Sequence, residues 1–416
     1  MAKIAFQKLE DHSPFFWGLL GLHAAVIALA LGAAYYMEHH GHVVTGMNNR
    51  IVWGLPHVFA VFLIVSASGA LNLASVSSVF NKLTYKPYAR LSGILAIALL
   101  VGGLAVLVLD LGRPDRLIVA MTTYNFKSIF AWNIYLYTGF IAIVAAYLFA
   151  MMDRRASQNA SLIKGMGWLA FVWRLVLTTG TGSIFGFLVA RDTMSGAVMA
   201  PLFIAASFLW GLAFTVLVLV TVCRAMRQQL MTEEMVATVK NLLFIFALAT
   251  LYFTVIQHIT KIYWAEHRDA ERFMLLEGGI YTTLFWLGQI LIGTLLPMAL
   301  LTFAGEKDSR NVIVVASVLF LIGGLAFMYV TIIGGQAYPM RLFPGMIESS
   351  SFLDGQVAPY TPTLPELLLG LGGISIAMLA TGIALKLMPF LPVGPRAVAG
   401  QTSAHGAAHG AAVPAE

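Results

Sequence analysis

The sequence predicts an all-α integral membrane protein with about ten transmembrane helices. Of its 416 residues, 59% are hydrophobic and only 11% are charged, whereas roughly a quarter of the residues in soluble globular domains carry a charge. The mean hydropathy of +0.83 agrees with that composition. Apolar stretches long enough to cross a hydrocarbon core of about 30 Å recur along the whole chain. They leave no room for a soluble domain between them.

Ten apolar segments meet the length requirement for membrane helices. They cover residues 14–37, 52–79, 88–109, 128–151, 167–190, 198–223, 239–263, 279–303, 311–335 and 364–388. About 24 apolar residues follow the polar N-terminus at 1–13. A signal-peptide core has only about 7–15, so we expect an uncleaved first span, followed by an outer loop that ends at residue 51. The fifth segment contains Arg174 and a Gly-Thr-Gly run at 180–182, so a broken or re-entrant helix is an alternative there.

The distribution of Lys and Arg predicts the orientation. Fifteen of the 25 basic residues fall in segments on the side of the two termini, nine fall on the other side, and Arg174 lies within a span. Short cytoplasmic loops are enriched in Lys and Arg, so we expect both termini in the cytoplasm and the chain in the bacterial inner membrane. The net charge of +6 therefore reflects topology rather than nucleic-acid binding.

The longest outer loop predicts a docking surface. It covers 28 residues, 336–363, and contains four prolines and several aromatic residues. Loops of this length without regular structure are usually functional. The other long outer loop is 264–278. The Ala- and Gly-rich cytoplasmic tail, 389–416, with His405 and His409, is predicted to be disordered rather than metal-binding.

Residues 107–133 form a charged corner between two apolar spans. Asp110 ends the third span and Arg113 follows it, so an ion pair between them is one interpretation. The functional alternatives, which are compatible with that pair, are that Asp110 accepts a proton from a quinol or that it orients a His or Tyr side chain. Charges at membrane depth are costly unless they pair or face water. At the start of the fourth span, we expect Asn133 and Tyr135 to face inward and to contact a ligand.

Several other polar residues lie within the spans. His57, near the outer end of the second span, is predicted either to contact a quinone and transfer its proton or to pack between helices. His258 lies at a similar depth in the seventh span, and the two histidines are alternatively the axial ligands of a b-type haem. Arg174 belongs either to a proton path or to a structural ion pair. His23, mid-span, is expected to serve in packing.

Cysteine content limits the redox chemistry of the chain. The single cysteine, Cys223, excludes a disulfide framework and a Cys-ligated cluster within this chain. We expect no metal site. If the protein handles electrons, its iron–sulfur or haem centres belong mostly to partner subunits.

Four motifs resemble those of a known family. They are LDLGRPDR followed by a helix that opens SxxxWN, then KIYWAEHRDAERF, FWLGQILIGTLLPM, and PTLPELLLGLGG followed by KLMPFLP. This pattern resembles the NrfD/polysulfide-reductase membrane subunits, including the ten-span branch with the hydrogenase-2 membrane subunit. The resemblance extends from Trp53 to Pro392. Within the family, the pattern is most similar to the quinone-interacting subunits of sulfur-metabolism complexes.

The resemblance implies a fold and a set of partners. It implies two four-helix bundles, spans 2–5 (52–190) and 6–9 (198–335), with flanking helices that include 364–388. It also implies a menaquinone or ubiquinone near the outer face, no haem or iron–sulfur cluster in this chain, and a periplasmic ferredoxin-like iron–sulfur subunit docked on the outer loops. Other membrane and cytochrome subunits complete such complexes.

The resemblance also carries site residues. The Asn-x-x-His pattern of polysulfide-reductase-like members falls on His57 and Ala60, so His57 takes the Asn position and the family's His is absent. Tyr135 matches a quinone-contacting tyrosine better than Tyr137 does.

Three functions follow from these observations. The first is a quinone-reactive membrane subunit, in which His57, Asn133, Tyr135 and His258 contact the quinone while Asp110 and Arg174 handle protons. The second is a secondary transporter, whose binding site would lie near the midplane; only Arg174 and the Gly-Thr-Gly run fit that position. The third is a b-type cytochrome subunit or a hydrogenase membrane anchor. The clustering of polar groups near one face favours the first.

Overall fold

The computed structural model describes residues 5–10, 13–79, 83–303, 305, 309–340 and 355–393. Within these residues, ten helices are long and apolar enough to cross a membrane. They are α1 Pro14–His40, α2 Leu55–Ser75, α3 Tyr85–Leu109, α4 Ile129–Met152, α5 Ala160–Gly186, α6 Met199–Met226, α7 Glu233–Tyr263, α8 Ile280–Phe303, α9 Ser309–Ala337 and α10 Leu364–Leu387. The predicted all-α membrane fold is thereby confirmed. Half of the longest outer loop, 341–354, and the His-containing tail lie outside the described residues.

Polar caps begin several of the membrane helices. The backbone N–H groups of the first helical turn have no partner within the helix, and a side-chain oxygen at the N-cap accepts one of them. Ser13 does this for α1, Asn159 for α5 and Thr232 for α7. Sequence signals therefore set where these helices begin.

The helices surround α2 and α6, which form the centre of the molecule. The most apolar stretch of α2 is entirely buried and that of α6 is largely buried, whereas those of α1, α5 and α7 are mostly exposed. Helix α2 packs against α3, α6, α9 and α10, and α10 is in turn covered by α1. Exposed apolar faces on the outer helices are what a bilayer requires. The division into two four-helix bundles stays a prediction.

The alternative of a broken or re-entrant fifth helix is wrong, because Ala160–Gly186 is one continuous helix. Its glycines serve close packing instead. A Cβ on Gly180 would lie 2.7 Å from Leu136 Cδ1, and one on Gly182 would lie 2.9 Å from the backbone of Ala200. The Gly-Thr-Gly run thus lets α4 and α6 approach α5.

The two ends of the described chain meet at one face. Strand β1, Phe6–Gln7, pairs antiparallel with β2, Leu391–Pro392, so that Phe6 lies opposite Pro392. Because consecutive helices run in opposite directions, ten of them return the chain to the side where it started. The corner at 107–133 therefore lies on the opposite face, together with the described segments 41–54, 187–198, 264–279, 338–340 and 355–363.

Candidate functional site at the face opposite the termini

His57 and Asp110 meet at this face because α2 begins where the antiparallel α3 ends. His57 lies in the first turn of α2, and Asp110 directly follows Leu109, the last residue of α3. His57 Nδ1 lies 3.0 Å from Asp110 Oδ2. The Asp110 side chain is only 1% exposed, whereas that of His57 is 23% exposed. The carboxylate is thus covered by an imidazole that reaches the surface.

The Asp110 carboxylate has few compensating contacts. The approach of His57 is not aligned as a hydrogen bond, and neither carboxylate oxygen has a hydrogen-bond partner among the described residues. His42 Nε2 lies 2.9 Å from the Asp110 carbonyl oxygen and 3.9 Å from Oδ1. A buried carboxylate that is poorly hydrogen-bonded is costly when ionised. This one is therefore suited to stabilise a positive charge on the histidine beside it.

Arg113, which follows Asp110 in the motif, does not pair with it. Arg113 Nε lies 3.3 Å from Asp115 Oδ1, and both side chains are more than 60% exposed. A 3₁₀ turn that starts at Pro114 carries Asp115 back toward Arg113. The predicted alternative of an Asp110–Arg113 ion pair is therefore wrong, and histidines take the place of the arginine.

An aromatic wall stands beside His57. The Trp53 ring is stacked near the imidazole, with centroids 6.3 Å apart and an interplanar angle of 23°. It also lies 5.5 Å from the ring of Phe130 at the start of α4 and 6.0 Å from that of Phe185 near the end of α5. Two helices and the segment before α2 thus bring flat apolar surface to a titratable pair, which is the combination that an aromatic, proton-carrying ligand needs.

Two polar side chains from distant parts of the chain hold the segment that carries Trp53 and His57. Gln336 Oε1 accepts the N–H groups of Val52 and Trp53 at 3.0 and 3.1 Å, and its Nε2 donates to the Trp53 carbonyl at 3.0 Å. Gln336 follows a π-helical stretch, Val330–Gly334, and such stretches are frequent at functional sites.

The second anchor is Tyr360, whose hydroxyl accepts the N–H of Leu55 at 2.7 Å and donates to Glu366 Oε1 at 2.8 Å. Burial and the neighbouring Glu366 carboxylate raise the pKa of Tyr360. The hydroxyl therefore stays protonated and keeps its bond to Glu366 at every physiological pH.

Asn133 and Tyr135 do not face the same way. Asn133 is 2% exposed, and its Nδ2 donates to the carbonyls of Ile129 and Gly180 at 2.9 and 3.1 Å. Tyr135 is 41% exposed, and its hydroxyl donates to the Met121 carbonyl at 2.7 Å. Residues two apart on a helix point in nearly opposite directions. The expected inward orientation is thus wrong for Tyr135, and quinone contact by either residue stays a prediction.

His258 has a carboxylate partner of its own. Its Nδ1 lies 2.6 Å from Glu271 Oε2, on the short helix Arg268–Arg272 between α7 and α8. Lys261 Nζ lies 3.9 Å from the other Glu271 oxygen and also donates to the carbonyls of Asp192 and Thr193. No hydrogen bond, ion pair or ring contact among the described residues joins His258 to His57. The haem pairing and the quinone role of His258 stay predictions.

Arg174 is buried without an acidic partner. It is 1% exposed, and its Nη1 donates to the Ser68 carbonyl at 3.3 Å. Its guanidinium lies 4.9 and 4.8 Å from the ring centroids of Phe171 and Phe208. In the described part of the chain, no carboxylate lies within ion-pair distance, so the alternative of a structural ion pair is wrong. Its part in a proton path stays a prediction.

Several residues that build these sites were not predicted from the sequence, among them His42, Trp53, Glu271 and Gln336. Two had a visible signal. His42 belongs to the cluster His39, His40 and His42, directly before the second span, and Glu271 lies in the charged stretch that follows α7. Gln336 had none, because its role depends on the approach of two segments about 280 residues apart.

These features define the class of protein: a multi-pass helical membrane protein with histidine–carboxylate pairs at one membrane face. Residues 43–339 match the model of the polysulphide reductase NrfD family, and the chain belongs to that family.

Three relatives extend the match. The chain is 27% identical over 395 residues to the Hdr-like menaquinol oxidoreductase integral membrane subunit of Archaeoglobus fulgidus, covering 94% of this chain and 97% of that protein. It is 27% identical over 411 residues to a putative dimethyl sulfoxide reductase membrane subunit of Halobacterium salinarum (91% and 93%). It is 22% identical over 310 residues to one of the chains of the polysulfide reductase of Wolinella succinogenes (70% and 96%).

Proposed function

We propose that this chain is the quinone-reactive membrane subunit of a multi-subunit redox complex. The observation that carries the proposal is the contact of His57 with the buried Asp110, 3.0 Å apart beside the Trp53 ring. A relative that matches nearly the whole chain is named as a menaquinol oxidoreductase membrane subunit. That name favours menaquinone over ubiquinone as the substrate.

The chemistry of the pair is proton transfer. A quinol supplies two electrons and two protons when it is oxidised, and a quinone takes them up when it is reduced. His57 accepts one of the two protons from a quinol hydroxyl, or returns one to a quinone oxygen, because an imidazole within reach of the ligand can act as a general base or acid. The Asp110 carboxylate stabilises the positive charge on the ring, and the water-poor surroundings strengthen that interaction. Trp53 and Phe130 hold the flat ring of the ligand against His57.

The electrons leave or enter through partner subunits. Cys223 is the single cysteine of the chain, so cysteine-ligated clusters belong to another protein. We propose a periplasmic ferredoxin-like iron–sulfur subunit on the outer loops 264–278 and 336–363, beside other membrane and cytochrome subunits, with both termini in the cytoplasm of a bacterium. The sequence motifs favour the DsrP type, the quinone-interacting subunit of the DsrMKJOP complex of dissimilatory sulfur metabolism.

The decisive experiment replaces His57 by alanine in the assembled complex and measures turnover with a soluble menaquinol analogue. Loss of a positioned acid–base group is expected to lower turnover by about 10²-fold or more, while the complex still assembles. His40→Ala, an exposed histidine at the same face, is the matched control and should leave turnover unchanged. Normal turnover in His57→Ala would overturn the proposal.

The b-type cytochrome is the second candidate. His258 Nδ1 forms a hydrogen bond with a Glu271 oxygen, as the second nitrogen of a metal-ligating histidine commonly does, and His57 Nδ1 lies 3.0 Å from Asp110 Oδ2. A pyridine haemochrome spectrum of the purified protein tests this function, because a protein without haem bands is not a cytochrome. The transporter hypothesis loses its main support, since the Gly-Thr-Gly run does not break α5.

A further inference from the structure

An apolar cavity of about 360 Å³ lies among α1, α2, α6, α9 and α10. Its walls are almost entirely hydrocarbon, from side chains such as Phe16, Leu20, Phe214, Val218, Ile322 and Met378. The hydroxyls of Thr221 and Thr381, which also line it, each donate to a carbonyl of their own helix at 2.8 Å. Cavities lined in this way do not hold water, and the bilayer offers a hydrocarbon chain instead.

Among the residues that line this cavity, His23 is the only one whose side chain contains a nitrogen atom. Its Nδ1 lies 3.3 Å from Ser375 Oγ on α10, so the bond links α1 to α10 as expected for a packing histidine. A headgroup bound at this depth would have to compete with that bond. We therefore expect the polar end of a bound molecule at the end of the cavity that lies against the first turn of α1.

Two cations lie at that end, against the first turn of α1. Lys386 Nζ is 5.5 and 5.4 Å from the ring centroids of Phe16 and Trp17, and Arg224 Cζ is 4.7 Å from that of Phe15. Phe16 lines the cavity, whereas Phe15 and Trp17 are exposed. Aromatic residues and cations at helix ends mark the level of lipid headgroups. The cavity thus opens toward a cationic, aromatic rim.

Further arginines add positive charge beside this rim. The lining of a neighbouring cavity of about 400 Å³ includes Arg224, Arg227 and Arg310. Arg310 pairs with Glu233 at 2.6 Å, but no carboxylate of the described residues lies within ion-pair distance of Arg224 or Arg227. Basic pockets between membrane helices at such a face bind anionic lipid headgroups.

We propose that this cavity and its rim form a binding site for an anionic phospholipid of the leaflet on the side of the chain termini. One acyl chain fills the cavity between α1, α6 and α10, and the phosphate lies at Arg224 and Lys386. A neutral, zwitterionic phospholipid of the same chain length fits the cavity but gains less from the rim. The bound lipid would fasten α1, whose contacts within the membrane are mostly with α10, to the body of the protein.

The test uses the full-length protein, stripped of lipid in detergent and titrated with phosphatidylglycerol or phosphatidylcholine of matched acyl chains, with native mass spectrometry as the readout. We expect phosphatidylglycerol to bind more tightly. Arg224→Gln and Lys386→Gln should each weaken its binding by about fivefold and leave phosphatidylcholine unaffected. Lys164→Gln, an exposed lysine of α5 near the same face, is the matched control and should change neither.

A cavity-filling variant tests the acyl-chain position separately. Thr221→Phe places a ring in the cavity and should reduce the binding of both phospholipids by the same factor. Equal affinity for the two phospholipids, or unchanged binding in both charge variants, overturns the proposal. So does an isoprenoid quinone that co-purifies in place of phospholipid and is lost in His23→Leu. Because the readout is lipid retention, the outcome does not depend on quinol turnover.

Discussion

Asp110 Oδ2 lies 3.0 Å from His57 Nδ1, while the arginine three residues further along the chain turns to Asp115. The charged residues of the turn after α3 therefore have two different kinds of partner. Its first residue supplies a buried carboxylate to the neighbouring helix, and its remaining charges stay in water as an exposed pair. An exposed pair of this kind contributes little to stability, and we propose that Asp110 is the functional residue of the turn.

Replacing Asp110 by asparagine keeps the shape of the side chain and removes its charge. The imidazolium of His57 then loses its stabilising partner, and we expect quinol turnover to fall by about 10²-fold. Turnover of the assembled complex with a menaquinol analogue measures this. Asp115→Asn is the matched control in the same turn, and its turnover should equal that of the unmodified protein. Equal turnover in the two variants would show that the Asp110 charge has no role.

Gln336 is a positioning residue for the aromatic wall. Gln336→Leu leaves the N–H groups of Val52 and Trp53 without their acceptor. Each hydrogen bond of this kind contributes about 0.5–1.5 kcal/mol to stability. We expect the segment to loosen, KM for quinol to rise about tenfold, and kcat to change less. Gln336→Glu keeps an acceptor oxygen and should restore part of the affinity. Gln158→Leu, on an exposed loop, is the neutral control. An unchanged KM in Gln336→Leu would contradict this role.

The fold was predictable from the sequence because span length is a bulk property of hydrophobic patterning. All ten helices lie within several residues of the expected segments. The partners of individual side chains were less predictable, since they depend on helix rotation and on contacts between distant segments. Asp110 pairs with His57, 53 positions away, rather than with Arg113. Tyr135 and Asn133 are two residues apart on one helix, so their side chains point in nearly opposite directions. This difference could have been predicted from the sequence alone.

Arg174 offers a test of the proton path. Arg174→Leu removes a buried cation that has no carboxylate partner among the described residues, so we expect the folded state to lose little stability or to gain some. If the guanidinium carries protons between the two faces, proton uptake during turnover should fall several-fold, as pH-indicator measurements in proteoliposomes would show. Arg174→Lys keeps the charge without the planar fork and should retain part of the uptake. Unchanged turnover and proton uptake in Arg174→Leu would remove it from the path.

Glu271 is expected to matter for stability. It is 2% exposed and is the carboxylate closest to both His258 and Lys261 among the described residues. Glu271→Gln leaves a buried lysine without its nearest negative charge, so we expect the free energy of unfolding to drop by about 3 kcal/mol. Thermal unfolding of the detergent-solubilised protein measures this. Glu277→Gln, in an exposed pair with Arg272 in the same loop, should cost less than about 1 kcal/mol. If both variants lost a similar free energy of unfolding, the burial of Glu271 beside His258 and Lys261 would not be the source of the stabilisation.

The two glycines of α5 that differ most in their surroundings test whether the helix is continuous and closely packed. A Cβ on Gly180 would lie 2.7 Å from Leu136 Cδ1 and 3.2 Å from Asn133 Oδ1, whereas one on Gly165 meets nothing within 4 Å. Gly180→Leu must therefore push α4 away from α5, and we expect a loss of about 1–3 kcal/mol. Gly165→Leu should be neutral or stabilising by up to about 1 kcal/mol, because leucine favours a helix. Thermal unfolding of the two variants separates the two cases. If a break at 180–182 left room around Gly180, both substitutions would be tolerated alike; a clearly lower Tm for Gly180→Leu indicates that the glycine is there for the approach of α4.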